Sequence, residues 1–117
     1  MRSRLTWNEG IRSLVYWGDV YFAANHCRKA EFCWQKALNS LGEGPSRGEN
    51  AAALKIKLAG LYQWTGNLAQ WRRYLSDAIE GLALAKGKGS PVVRELKKYL
   101  SGRKPLFKAV ALSAFFT

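Results

Sequence analysis

The chain repeats its own residue pattern at a spacing of 41 positions, and this repeat constrains the fold more than any other feature. Residues 7–41 form the first unit, and residues 51–84 form the second. The aligned pairs are Trp17 with Leu58, Tyr21 with Tyr62, Ala37 with Ala78, and Leu38 with Ile79. Repetition of this kind is typical of folds in which similar units stack and each unit buries its apolar side on a neighbour.

Each unit is predicted to contain two helices joined by a tight turn. In the first unit, large apolar residues recur at helical spacing until the pair Asn25-His26 interrupts the pattern. Helical spacing then resumes over residues 30–38. The pair Gly66-Asn67 takes the equivalent place in the second unit and is the stronger turn signal. The pattern therefore predicts two antiparallel helical hairpins.

Within the first unit, small and large residues are placed as two closely crossing helices require. Gly18 and Ala30 are small where the helices would cross, while Tyr21 and Trp34 would fill the space beside that crossing. The whole pattern resembles the tetratricopeptide repeat, a helical-hairpin repeat. The residues that carry this resemblance are Leu14, Trp17, Gly18, Tyr21, Ala30, Trp34 and Ala37.

The second unit fits the same family less closely. Lys55 stands where a large apolar residue is usual, and Trp71 stands where a small one is usual. The period also exceeds the family's ~34 residues, because a Gly/Pro/Ser loop at 42–50 separates the two units. The resemblance implies an all-α fold in the form of a short right-handed α-α superhelix.

The C-terminal third predicts two further helices. Ser90 and Pro91 are a natural N-cap and first-turn residue, and Pro105 begins a segment that is apolar on nearly every side. Such a helix must be buried, either on the second unit or on a partner. We expect residues 90–116 to form capping helices as a third hairpin, which gives about six helices in a single domain.

The resemblance also implies a concave groove lined by the first helix of each hairpin. The lining is expected to be mostly apolar, which suits an amphipathic helix or an extended peptide from a partner protein. The alternative is that the chain's own C-terminal segment fills this groove. The expected lining residues are Arg12, Val15, Asp19, Phe22, Ala53, Ile56, Gly60, Gln63 and Trp64.

A second candidate surface is basic. The net charge is +11, which favours contact with a polyanion or, equally, describes a well-solvated charged surface. Phosphate contacts of this type would be independent of sequence and sensitive to salt. The candidate phosphate-binding residues are Arg72, Arg73, Lys86, Lys88, Arg94, Lys97, Lys98, Arg103, Lys104 and Lys108.

The sequence offers little for catalysis. His26, Cys27 and Cys33 are too few for a four-ligand zinc site, and their spacing matches no ligand pattern. The eight carboxylates are scattered, without a close pair for acid–base chemistry. The glycines at 81–89 follow a helix and match no phosphate-binding motif. We therefore expect no enzyme activity, no metal site and no cofactor.

Two functions remain open at this point. The first is a non-catalytic adaptor or scaffold subunit that mediates protein–protein interaction within a larger assembly. The second is a small basic subunit of a ribonucleoprotein or DNA-binding complex, in contact with the phosphate backbone. No secretory signal and no run of about 18 apolar residues is seen, so we expect a cytoplasmic or organelle-interior protein without a transmembrane segment.

Overall fold

The structure, a computed structural model, describes residues 7–42, 47–102 and 105–113, and the secondary structure in these residues is helical throughout. The predicted all-α fold class is confirmed, and the described residues form six helices. These are α1 (Glu9–Ala23), α2 (Cys27–Asn39), α3 (Arg47–Thr65), α4 (Leu68–Lys86), α5 (Pro91–Leu100) and α6 (Leu106–Ser113).

The two hairpin turns repeat at the same spacing as the sequence. Asn25, in the turn after α1, has a positive φ of 65°. Gly66, in the turn after α3, has a positive φ of 85°. The residue after each donates its backbone N–H five positions back, to the carbonyl oxygens of Tyr21 at 2.7 Å and Tyr62 at 2.8 Å. This left-handed helix termination tolerates Asn and favours Gly, which explains why these residues occupy the turn.

The α1–α2 crossing is as close as the small residues predict. A Cβ atom added to Gly18 would lie only 2.3 Å from Nε1 of Trp34, so no larger residue fits without displacing the indole. Trp34 is fully buried, and its indole N–H donates to the Val15 carbonyl oxygen at 3.4 Å. The prediction that Gly18 allows the two helices to cross is confirmed.

A buried ion pair joins α1 to α3. Nζ of Lys57 lies 2.8 Å from Oδ1 of Asp19, and the two residues are only 8% and 4% exposed. The same ammonium lies 5.8 Å from the ring centroid of Trp34, at a distance where a cation is attracted to an aromatic face. Side chains of α1, α2 and α3 therefore meet at this one point.

A polar cluster joins α2 to the second hairpin. The Gln35 amide donates to the hydroxyls of Tyr62 and Tyr74 at 3.3 and 2.8 Å, and the Tyr62 hydroxyl donates to the Glu31 carboxylate. Burial, together with the bond to Glu31, raises the pKa of Tyr62, so its hydroxyl stays protonated above the usual range. The hydroxyl therefore remains a hydrogen-bond donor even near pH 10, where an ordinary tyrosine loses its proton.

The last two helices pack on different partners. Helix α5 packs on α4, whereas α6 packs on α3 and also touches α1. The expected third hairpin is therefore absent from the described residues. The physical reason lies in α3, where Gly60 leaves a notch that receives Val110 of α6.

The α1–α2 crossing gives a direct test of packing. Gly18→Ala should lower the free energy of unfolding by about 1–3 kcal/mol, because the new methyl group would overlap the buried Trp34 indole. The matched control is Gly81→Ala in α4, where nothing lies within 4 Å of the added Cβ. The control should gain about 0.5–1 kcal/mol from helix propensity. Equal denaturation midpoints for both variants would contradict the crossing.

Candidate partner-binding surfaces

The α1 residues expected to line a groove are mostly buried in the core. Val15, Asp19 and Phe22 are each less than one-tenth exposed, so these three cannot contact a partner in this arrangement. Phe22 packs on Trp34 with ring centroids 5.6 Å apart, while Asp19 is taken up by its ion pair. Arg12, by contrast, is at the surface.

The α3 residues expected in the groove contact α6 instead. Gln63 Oε1 accepts the backbone N–H of Phe107 at 3.0 Å, and the Trp64 ring lies 5.0 Å from the Phe107 ring. At Gly60, an added Cβ would lie 2.6 Å from Cγ2 of Val110. The chain's own C-terminal helix thus occupies this part of the expected groove, as the alternative reading of the sequence proposed. Ala53 and Ile56 on the same helix are half-buried.

One buried and one exposed position on α6 test this docking. Leu106 is 2% exposed and Lys108 is exposed, although they lie two residues apart. Leu106→Ala should therefore lower the free energy of unfolding by about 2–5 kcal/mol, and Lys108→Ala should change it by less than about 0.5 kcal/mol. Chemical denaturation of both variants makes the comparison. If the two variants unfold alike, α6 does not dock on α3.

A different apolar surface remains open between α1 and α2. Its lining residues form a shallow depression of about 290 Å³, which we call the α1–α2 face. Trp17, at the centre of its α1 side, is 51% exposed. Its ring also lies 5.4 Å from that of Tyr16 and 6.0 Å from that of Tyr21. The lining residues are Ser13, Leu14, Trp17, Tyr21 and Cys33.

Sequence reasoning missed this surface because it assigned Tyr21 to the packing beside the helix crossing and gave Trp17 no role beyond its place in the repeat pattern. The sequence did contain a signal for an exposed aromatic surface, because α1 carries more aromatic residues than one buried side of a helix can hold. Trp17 and Phe22 are five positions apart, which places them about 140° apart around a helix. Phe22 faces the core, so Trp17 has to face elsewhere.

Two lysines of α2 lie beside lining residues of the α1–α2 face, Lys29 beside Tyr21 and Lys36 three positions after Cys33, whose thiol feels its charge. Nζ of Lys29 lies 5.5 Å from the ring centroid of Tyr21, and Nζ of Lys36 lies 5.8 Å from the ring centroid of Phe32. Phe32 is itself 65% exposed. Neither lysine forms an ion pair with any residue that the structure describes. The face is therefore apolar at its centre and positively charged at its border.

The candidate phosphate-binding residues in the described chain are spread along α4, the following turn, α5 and α6. Two of them are already paired with carboxylates, Lys86 with Glu49 at 3.7 Å and Lys98 with Glu95 at 3.5 Å. Arg103 and Lys104 lie outside the described residues. The others in the described chain are all exposed, and they are Arg72, Arg73, Lys88, Arg94, Lys97 and Lys108.

The two cysteine thiols have raised pKa values. Burial, followed by the charge of Glu31, raises the pKa of Cys27, and burial raises that of Cys33 although Lys36 acts in the opposite direction. A raised pKa keeps a thiol protonated and makes it a weaker nucleophile. Among the described residues, no three His, Cys, Asp or Glu side chains are grouped so that they could hold a metal ion.

Comparison with known protein families, with curated proteins and with solved structures finds no match to this chain. In the described part of the chain, no helix combines the length and the apolar character that crossing a bilayer requires.

Proposed function

We propose that this chain is a non-catalytic adaptor, similar to a tetratricopeptide repeat, which holds a partner protein as a subunit of a larger assembly. The observation that carries the proposal is the α1–α2 face, with Trp17 half-exposed at its centre. Large exposed aromatic side chains around a depression are typical of interaction sites, whereas single scattered apolar residues are normal on any surface.

The composition of the face supports a protein partner. Within its lining, Trp17 is 51% exposed and Tyr21 is half-buried, and two aromatic side chains outside the lining, Tyr16 and Phe32, are more than half exposed. Trp and Tyr are enriched among the residues that contribute most to binding at protein interfaces. Burying Trp17 and its neighbours would remove apolar area from water, which contributes roughly 25 cal/mol per Å² before the costs of association.

The hairpin architecture also supports the proposal. Each of the two turns is closed by the same type of backbone hydrogen bond, and the two bonds lie 41 residues apart, as in repeated units of a scaffold. Since α6 covers α3 at Gly60 and Trp64, we assign the partner to the α1–α2 face and not to the groove that the family resemblance implies.

Contact with nucleic acid ranks second. The basic residues of α4 and α5 are exposed, but two of them already have carboxylate partners, and the set is distributed over two helices and a turn. The α1–α2 face, in contrast, brings apolar and aromatic side chains of two helices to one place. The more localised feature carries the proposal.

Affinity capture from the cells that produce this protein tests the adaptor function. Trp17→Ala should lose the partners that the wild-type chain retains. Trp64→Ala is a matched control, because Trp64 is also 51% exposed but lies against α6. Quantitative mass spectrometry of the captured proteins is the readout, and circular dichroism checks that both variants are folded.

Three results would count against the proposal. Retention of every partner by the Trp17 variant would exclude the α1–α2 face. Loss of partners only in the Trp64 variant would return the binding site to α3. Capture that depends on intact nucleic acid, and that nuclease treatment abolishes, would favour the phosphate-binding alternative.

A further inference from the structure

We propose that the segment of the partner bound at the α1–α2 face is an acidic amphipathic helix. Its apolar side would occupy the depression, and its carboxylates would pair with Lys29 and Lys36. This inference rests on the proposed adaptor function and specifies the chemistry of the partner.

The arrangement of the lining side chains favours a helix. Leu14, Trp17 and Tyr21 are spaced by three and four positions along α1, so they form a ridge, and Cys33 of α2 lies across the depression from them. Side chains of a third helix pack into such a groove between two helices. The same chain provides a precedent, because α6 packs on the face of α3.

The border lysines specify the charge. Lys29 and Lys36 are seven positions apart on α2, which corresponds to two turns and about 10.5 Å along the axis. A partner helix running along α2 would present carboxylates at the same seven-residue spacing on one side. Apolar residues three or four positions after the first carboxylate would then reach the depression.

Few carboxylates of α1 and α2 are available to pair with these two lysines. Of the carboxylates on α1 and α2, Asp19 is buried with Lys57, and Glu31 accepts the hydrogen bond of Tyr62. Glu31 is half-buried, and Glu9, at the first turn of α1, is exposed. An incoming carboxylate therefore meets two cations that have no ion-pair partner in the described part of the chain.

Other occupants fit less well. A second copy of this chain would bring another +11 charge to a positively charged border. Single-stranded nucleic acid would need free ring faces for stacking. The Trp17 ring already contacts Tyr16 and Tyr21, and the depression also contains aliphatic Leu14 and the thiol of Cys33.

A synthetic helical peptide tests this inference on the full 117-residue chain. The probe carries glutamates at seven-residue spacing on one side, with leucines between them, and a fluorophore at one end. A second peptide has the same composition and charge, but its glutamates lie on the side of the helix opposite the leucines. We expect saturable binding of the first peptide by fluorescence anisotropy and at least about tenfold weaker binding of the second.

Charge reversal provides the matched variants. The double change Lys29→Glu and Lys36→Glu should weaken binding of the first peptide about tenfold or more at low salt, and Trp17→Ala should also weaken it. The control is Arg94→Glu with Lys97→Glu on α5, which changes the net charge equally at exposed positions. The control should change the affinity by less than about twofold.

Several outcomes would overturn the inference. Equal weakening by both charge reversals would show nonspecific attraction, and equal affinity for both peptides would show that the helix register is not recognised. A single-stranded oligonucleotide that displaces the peptide, and whose own binding requires Lys29 and Lys36, would assign the face to nucleic acid. If the Lys29/Lys36 variant captures every cellular partner that Trp17→Ala loses, the adaptor proposal stands and the acidic helix does not.

Discussion

The buried ion pair between Asp19 and Lys57 is the interaction on which the rest of the structure depends. It joins α1 to α3 across 38 residues of sequence, and its ammonium also lies against Trp34 of α2. Two charges removed from water are stable only when each has its partner in good geometry, here at 2.8 Å. The pair thus restricts the relative positions of three helices, because any rotation of α1 that removed Asp19 from Lys57 would leave a buried charge uncompensated.

This restriction determines which surfaces are left for binding. With Asp19, Val15 and Phe22 facing inward, the remaining apolar side of α1 presents Trp17 to solvent. The face of α3 is taken in turn by α6, whose Val110 enters the notch at Gly60. The α1–α2 face is therefore a consequence of the core arrangement, and we propose that it is also the functional surface of an adaptor.

Sequence reasoning reached those features that depend on local pattern. Helical spacing, the turns at Asn25 and Gly66, and the small residue at Gly18 are all visible in neighbouring positions. The pairing of Asp19 with Lys57 was missed, because contacts between distant positions leave no periodic signal. The alternative that the C-terminal segment fills the groove did name the α3 residues that α6 contacts, but it could not say which side chains of α6 make those contacts, since a helix that is apolar on nearly every side does not indicate which side will be buried. The open α1–α2 face is the side of α1 that these contacts leave uncovered, and only the number of aromatic residues on α1 pointed to it in the sequence.

A double-mutant cycle on Asp19 and Lys57 tests the dependence of the fold on this pair most directly. Asp19→Asn and Lys57→Met alone should each lower the free energy of unfolding by on the order of 3–5 kcal/mol, because each leaves one buried charge without its partner. The double variant should lose clearly less than the sum of the two, since it leaves no charge behind. Small losses that add within about 0.5 kcal/mol would show that the two residues act independently and that the helices are held in place by other contacts.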